Sequence, residues 1–174
     1  MVENYSIRRL TPSEQPFLQE MLYQSLYVPE GVEPFPREVL SRPEVSKYVA
    51  GWGRAGDMGF VAVDRGSGEL VGAVWLRLLA GAEKGYGYVD DETPELGMAV
   101  MPGHRGRGIG SGLLNRLLES AGGVYRKVCL SVSADNPARR LYERVGFERV
   151  GGDGSSVTMV KRLSGQPAPQ HFNR

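Results

Sequence analysis

Residues 102–112 read Pro102-Gly103-His104-Arg105-Gly106-Arg107-Gly108-Ile109-Gly110-Ser111-Gly112, a composition suited to holding a diphosphate. Gly106, Gly108 and Gly110 remove side chains that would keep an anion away from the backbone, and Arg105 and Arg107 place cationic groups beside it. Ile109, Leu113, Leu114, Leu117, Leu118 and Ala121 then recur at helical spacing, so a helix begins inside the loop. The first turn of a helix has N–H groups without internal partners and carries the positive end of the peptide dipole. Ile109, Gly110 and Ser111 would therefore offer backbone donors to phosphate oxygens.

The elements that must position this loop are legible on both sides of it. Glu95 to Met101 is a largely apolar run of strand length, closed by Pro102, which cannot donate to a ladder. The loop thus joins a strand to a helix. Other phosphate loops are excluded by spacing: a Walker loop requires a Gly-Lys-Ser/Thr ending, and the dinucleotide fingerprint needs a glycine at i+5. Counting from Gly106, Gly108 or Gly110, that position holds Ser111, Leu113 or Asn115.

Arg105-Gly106-Arg107-Gly108-Ile109-Gly110 resembles the Arg/Gln-x-x-Gly-x-Gly/Ala loop with which the GNAT superfamily of N-acetyltransferases binds the pyrophosphate of acyl-CoA. A second block, Asp135-Asn136-Pro137-Ala138-Arg139-Arg140-Leu141-Tyr142-Glu143-Arg144-Val145-Gly146-Phe147, is similar to that superfamily's Asn…Leu-Tyr-Glu-x-x-Gly-Phe segment. The resemblance runs from about Tyr5 to Leu163, with its specific motifs between residues 95 and 147.

The resemblance implies an enzyme that moves acetyl from acetyl-CoA to a primary amine, in a small molecule or a protein, by direct attack in a ternary complex. Its alternative is a noncatalytic acyl-CoA-binding module. On the family pattern, backbone groups of Val100 and Met98 contact the acyl carbonyl and the pantetheine arm, a role compatible with core packing of both side chains. Tyr142 takes the place of the general acid that protonates the departing thiolate, or else packs its ring against the helix face it shares with Leu141 and Val145. Asn136 either caps the following helix or adds a hydrogen bond to the coenzyme. Glu95 is the candidate base, acting directly or through water provided burial raises its pKa; otherwise it is a solvated residue beside Pro94.

Asp90, Asp91 and Glu92 either attract a cationic acceptor or keep their loop soluble. His104 is expected at the surface beside the diphosphate. Cys129, the sole cysteine, lies in an apolar run and is expected to be a buried inert thiol. Two histidines and one cysteine give no metal-ligand cluster, so no metal cofactor is expected.

With 21 basic and 20 acidic residues among 174, the net charge of +1 offers no electrostatic case for nucleic acid or an anionic membrane as partner. No apolar run is long enough to span a bilayer and residues 1–10 lack a signal-peptide core, which points to a cytoplasmic protein. The length suits one domain, expected over residues 1–163. Residues 164–174, with two prolines, are expected to be a disordered tail. The resemblance also admits a homodimer, to which exposed Trp52 or Phe35 could contribute.

Along the chain, strands are expected at 6–10, 60–63, 70–76, 95–101, 127–133 and 157–163. Helices are expected after a Thr11 cap, over 37–52 with a break at Pro43, from Ile109, and over 136–144. Loops at 28–36, 81–93 and 151–156 would shape acceptor specificity. This order indicates a single-domain mixed α/β sheet with antiparallel N-terminal strands, a parallel pair around a crossover helix at the coenzyme site, and helices on both faces.

Overall fold

The computed structural model describes residues 4–165, so the expected tail lies outside the described residues apart from Ser164 and Gly165. The chain opens with β1 (Tyr5–Arg9), a 3-10 turn (Pro12–Glu14) and α1 (Gln15–Ser25). The start of the turn is a reciprocal clasp: the Thr11 N–H donates to Glu14 Oε1 at 3.0 Å while the Glu14 N–H donates to the Thr11 carbonyl. Arg8 grips the same carboxylate with both terminal nitrogens, and its hydrogen bonds hold Glu14 down to about 2.

Next come the one-turn α2 (Pro43–Ser46), β2 (Met58–Asp64), β3 (Leu70–Arg77) and β4 (Glu95–Val100). After them follow α3 (Ile109–Ala121), β5 (Lys127–Ser133), α4 (Ala138–Arg144), β6 (Glu148–Gly152) and β7 (Ser156–Arg162). The strands form one seven-stranded sheet in the order β1-β2-β3-β4-β5-β7-β6. All neighbours are antiparallel except β4 and β5, whose parallel relation requires the α3 crossover.

Alternation along β2 and β3 sends side chains to two cores. Phe60, Ala62, Val74 and Leu76 meet Leu113 and Leu117 of α3, together with Tyr142 and Phe147. Val61, Ala73 and Trp75 face the other way, against Leu18 and Met21 of α1 and against Val49 and Trp52. Helices therefore cover both faces. Among the described residues no helix is long and apolar enough to cross a membrane.

Three expectations are corrected. The helix expected over 37–52 is a 3-10 turn (Arg37–Ser41), then α2, then turns. Pro43 ends the first piece, and past α2 the carbonyls of Lys47 and Ala50 accept from the Arg77 guanidinium at 3.0 and 2.6 Å. Residues 151 and 152, expected in a loop, end β6, an edge strand that pairs with β7 alone through a register shift at Arg149/Gly151. Trp52, proposed above as an exposed interface residue, is only 7% exposed and belongs to the α1-side core, whereas Phe35 is 46% exposed.

The ion pair between Arg77 and Asp57 carries the irregular 47–57 segment. Its side chains are 1% and 3% exposed, with Arg77 Nε to Asp57 Oδ1 at 3.0 Å and Nη2 to Oδ2 at 2.7 Å. Asp57 Oδ2 also accepts the Gly53 and Arg54 N–H groups at 3.0 and 3.1 Å, and the guanidinium stacks 5.4 Å from the Trp52 ring. Every strong donor and acceptor here is answered inside the protein, so removing one partner strands a buried charge. Asp57→Asn should lower unfolding free energy by about 3 kcal/mol in urea titrations, against less than about 1 kcal/mol for Glu14→Gln at the half-exposed Arg8 pair.

Candidate active site

The Cα register between β4 and β5 contains a single pair, Glu95 with Cys129, secured by the Cys129 N–H donating to the Pro94 carbonyl at 3.0 Å. Beyond that joint β5 turns to β7 and β4 stays on β3, which leaves β4 residues 96–100 without a ladder on this side. A cleft of about 1170 Å³ opens along the divergence. Leu96 to Val100 form one wall, Ser131 to Ser133 with Asn136 and Tyr142 the other, and residues 22–28 with Phe35 close the side toward α1.

At one end lies the glycine loop. Gly106 and Gly108 have φ of 76° and 82°, the left-handed region that glycine enters without strain, and Gly108 is the residue from which α3 starts. Because no side chain caps α3, its first backbone donors face the cleft beside Gly106, Gly110 and Ser111. The Tyr5 hydroxyl donates to the Gly108 carbonyl at 3.2 Å and fixes the loop to β1. Arg105 is turned back along β4, its Nε donating to the Val100 carbonyl at 3.0 Å.

At the other end sits Glu95, only 4% exposed. Its Oε1 accepts the Gly87 N–H at 2.8 Å, and the Tyr48 hydroxyl, which accepts the Tyr86 N–H at 2.8 Å, lies close enough to favour the ionised form of the same carboxylate. Burial pushes the Glu95 pKa above the ordinary carboxylate value. The hydrogen bonds from Tyr48 and Gly87 and the charge of Lys47 pull it partly back. The 85–87 loop fits over this group only because it carries glycines: a Cβ at Gly85 would lie 2.4 Å from Glu95 Oε1, and one at Gly87 would lie 2.7 Å from the β5 backbone.

Tyr142 enters from α4 and is 7% exposed, its ring edge-on to Phe147 at 5.7 Å. Burial raises its pKa, so the phenol keeps its proton at neutral pH. Asn136 Oδ1 accepts the Ala138 N–H at 2.9 Å from one residue before Pro137, the α4 N-cap, and its residue also borders the cleft.

One cleft thus brings together Glu95, Met98, Val100, Arg105, Gly106, Gly108, Ile109, Gly110, Ser111, Asn136 and Tyr142, with Arg107 exposed outside it. The acidic group separates. Asp90 pairs with Lys127 at 2.8 Å and is held at about 2, Asp91 accepts the Tyr88 hydroxyl at 2.6 Å, and neither borders the cleft. His104 stands 4.0 Å from Asp64, at the loop end. Cys129 is fully buried, with burial pushing its thiol pKa up. Among the described residues no group of three or more histidine, cysteine, aspartate or glutamate side chains could hold a metal ion.

Tyr48, Tyr86 and Trp75 also line the cleft; Tyr86 lies in the 81–93 loop expected to shape acceptor specificity, while Tyr48 and Trp75 escaped the sequence reading. Glycines on both sides of Tyr86, and Gly97 inside a strand, were the available signals, since glycine there marks close approach. Tyr48 had none.

The model of the acetyltransferase (GNAT) family matches residues 19–147. N-alpha-acetyltransferase RimI of Mycobacterium tuberculosis is 42% identical over 80 residues, 41% of this chain and 49% of that protein. The chain therefore spans about half the length of that relative. Among solved structures, a putative acetyltransferase of Salmonella typhimurium, yncA, with its cofactor acetyl-CoA, superposes with a TM-score of 0.64 at 19% identity, covering 97% of this chain and 99% of that one. Arabidopsis thaliana NAA60 in complex with a bisubstrate analogue gives 0.61 at 24%, covering 93% and 99%. Spermidine N-acetyltransferase of Vibrio cholerae gives 0.58 at 22%, covering 91% and 94%. These likenesses are to the fold, while the family match runs through strand, glycine loop and helix alike, and the chain accordingly belongs to the GNAT family of acetyltransferases.

Proposed function

We propose that the protein transfers acetyl from acetyl-CoA to a primary amine by direct attack within a ternary complex. The observation that carries this is the convergence of a buried carboxylate, Glu95, and a buried phenol, Tyr142, on the cleft that the glycine loop closes at its far end. The diphosphate would lie on the N–H groups of Gly106, Gly108, Ile109, Gly110 and Ser111, with Arg105 and Arg107 as nearby cations. The pantetheine arm would run along the unladdered edge of β4, past Met98 and Val100.

In the reaction the amine nitrogen attacks the thioester carbonyl carbon, the nitrogen–carbon bond forms and the carbon–sulfur bond breaks. Glu95 takes the proton lost by the amine, and Tyr142 supplies the proton that converts the departing thiolate to thiol. A base must be ionised and an acid protonated at working pH. Tyr142 meets the second because burial raises a phenol already near 10; at Glu95 burial raises the pKa, while Tyr48, the Gly87 N–H and the charge of Lys47 favour the ionised form that a base requires. Release of coenzyme A thiol across a panel of amines, beside calorimetric binding of acetyl-CoA, tests the function. Tight binding without release on any amine would instead indicate a noncatalytic acyl-CoA module.

Tyr142→Phe should lower kcat about ten-fold or more, with acetyl-CoA binding retained, because a positioned acid contributes roughly 100-fold or more. Unchanged kcat would remove Tyr142 from the mechanism. The pH profile of kcat/KM should show an acidic limb at the raised Glu95 pKa, activity falling as pH drops and the base is protonated. Tyr48 stabilises the ionised form, so Tyr48→Phe should move that limb upward by about one pH unit. A downward shift, or none, would contradict the Tyr48–Glu95 contact.

A further inference from the structure

Of the exposed large apolar side chains among the described residues, Phe35 at 46% and Tyr86 at 64% exposure border the cleft. A single exposed ring is ordinary, but both of these stand on backbone that is held in place. The Phe35 carbonyl accepts the Tyr23 hydroxyl at 2.6 Å, and the Tyr23 ring lies 3.9 Å from the Arg37 guanidinium, which pairs with Glu20. The Tyr86 N–H donates to the Tyr48 hydroxyl at 2.8 Å, and the two rings stack at 6.5 Å. Rings left open to water on fixed backbone at one cleft are preorganised to be covered by what binds there.

Tyr86 precedes Gly87, whose N–H donates to Glu95, so it stands beside the carboxylate that would receive the amine. Phe35 lies on the side toward α1, where Leu22, Leu26, Val28 and Pro34 add apolar lining. None of the cleft-lining residues between 22 and 86 carries a charge. Trp75 packs against Gly97 so closely that a Cβ at 97 would meet Cε2 and Cζ2 at 2.5 Å, which makes that stretch of wall filled and apolar as well. Besides Glu95 the described lining has one carboxylate, Asp153, and it is occupied by the N–H groups of Ser155 and Ser156 at 2.8 and 2.9 Å and by the Ser155 hydroxyl at 2.8 Å. Lys47 stands 5.9 Å from the Tyr86 ring, so a second cationic group arriving here would meet a like charge. The surroundings of Glu95 thus favour apolar substituents on the amine over further ammonium groups.

We propose that the acceptor is a primary amine carrying an apolar, ring-sized side chain, and that Tyr86 and Phe35 are the specificity-determining residues which that side chain covers. A polyamine is not the acceptor. The recognising chemistry is the same whether the amine is free or belongs to the first residue of a peptide. This rests on the acetyl transfer proposed above and names its acceptor class.

The test measures thiol release with two pairs of amines that differ in the side chain: phenethylamine against ethanolamine, and a tetrapeptide beginning with phenylalanine against the same peptide beginning with serine. In at least one pair the phenyl member should have a kcat/KM about ten-fold higher or more, and the pair that shows it identifies a free amine or a peptide end as the source. Tyr86→Ala and Phe35→Ala leave the backbone hydrogen bonds of both residues in place, and each should lower that ratio about five-fold. The ratio is the readout because a loss shared by both members of a pair cancels in it. Equal kcat/KM within both pairs, spermidine at or above the better phenyl substrate, or a ratio unchanged in both variants overturns the proposal. A ratio unchanged in Phe35→Ala together with loss of a dimer in sedimentation gives that ring to a second copy and overturns its role. Should the variants fail to fold, the wild-type pairs and spermidine decide. Absence of thiol release with every amine while acetyl-CoA still binds overturns the transferase function itself, whereas release without preference overturns only the acceptor class.

Discussion

The molecule depends on a sheet that is joined at one point and open beyond it. A parallel strand pair normally runs its ladder for several residues, but here Glu95 and Cys129 make the only register between β4 and β5. Apart from the Val100 carbonyl, which accepts Arg105 Nε, the hydrogen-bonding capacity that β4 does not spend on β5 faces the cleft. The joint also decides where the buried carboxylate sits, since Glu95 is itself the paired residue. The opening and the buried carboxylate thus share one origin.

Keeping that arrangement requires rigidity on the α1 side, and it comes from a polar anchor inside an apolar layer. Arg77 ends β3 opposite Glu95 and reaches across to Asp57 and to the carbonyls of Lys47 and Ala50. Those carbonyls flank Tyr48, whose hydroxyl favours the ionised form of Glu95. A salt bridge of this kind is weak evidence of net stabilisation, because desolvation offsets its attraction. Its use is geometric: it holds a segment with little regular structure in one place, so that a hydroxyl can reach the carboxylate.

Much of this was legible in the residues. The alternating glycines and arginines of 105–110 announced the glycine loop at one end of the cleft, the periodicity from Ile109 to Ala121 gave the helix behind it, and the Leu141–Phe147 block located Tyr142. Elements whose conformation is decided by distant partners were not. The 47–53 turns depend on Arg77, thirty residues or so away, and β6 depends on β7 to hold a Gly151-Gly152 end of poor strand propensity. The burial of Glu95 was equally invisible, because the loop that covers it, residues 85–87, has no periodic pattern of its own.

Gly97 and Trp75 occupy a single volume, the indole lying where a β-carbon at 97 would stand. Neither position is therefore free to vary by itself. A larger residue at 97 would require a smaller one at 75 in the same step, and any single change passes through a packing defect. Two adjacent strands are locked into a joint choice, so divergence toward a different wall at this end of the cleft would have to proceed by paired replacement, and descendants of this chain would be expected to keep or lose the two residues together.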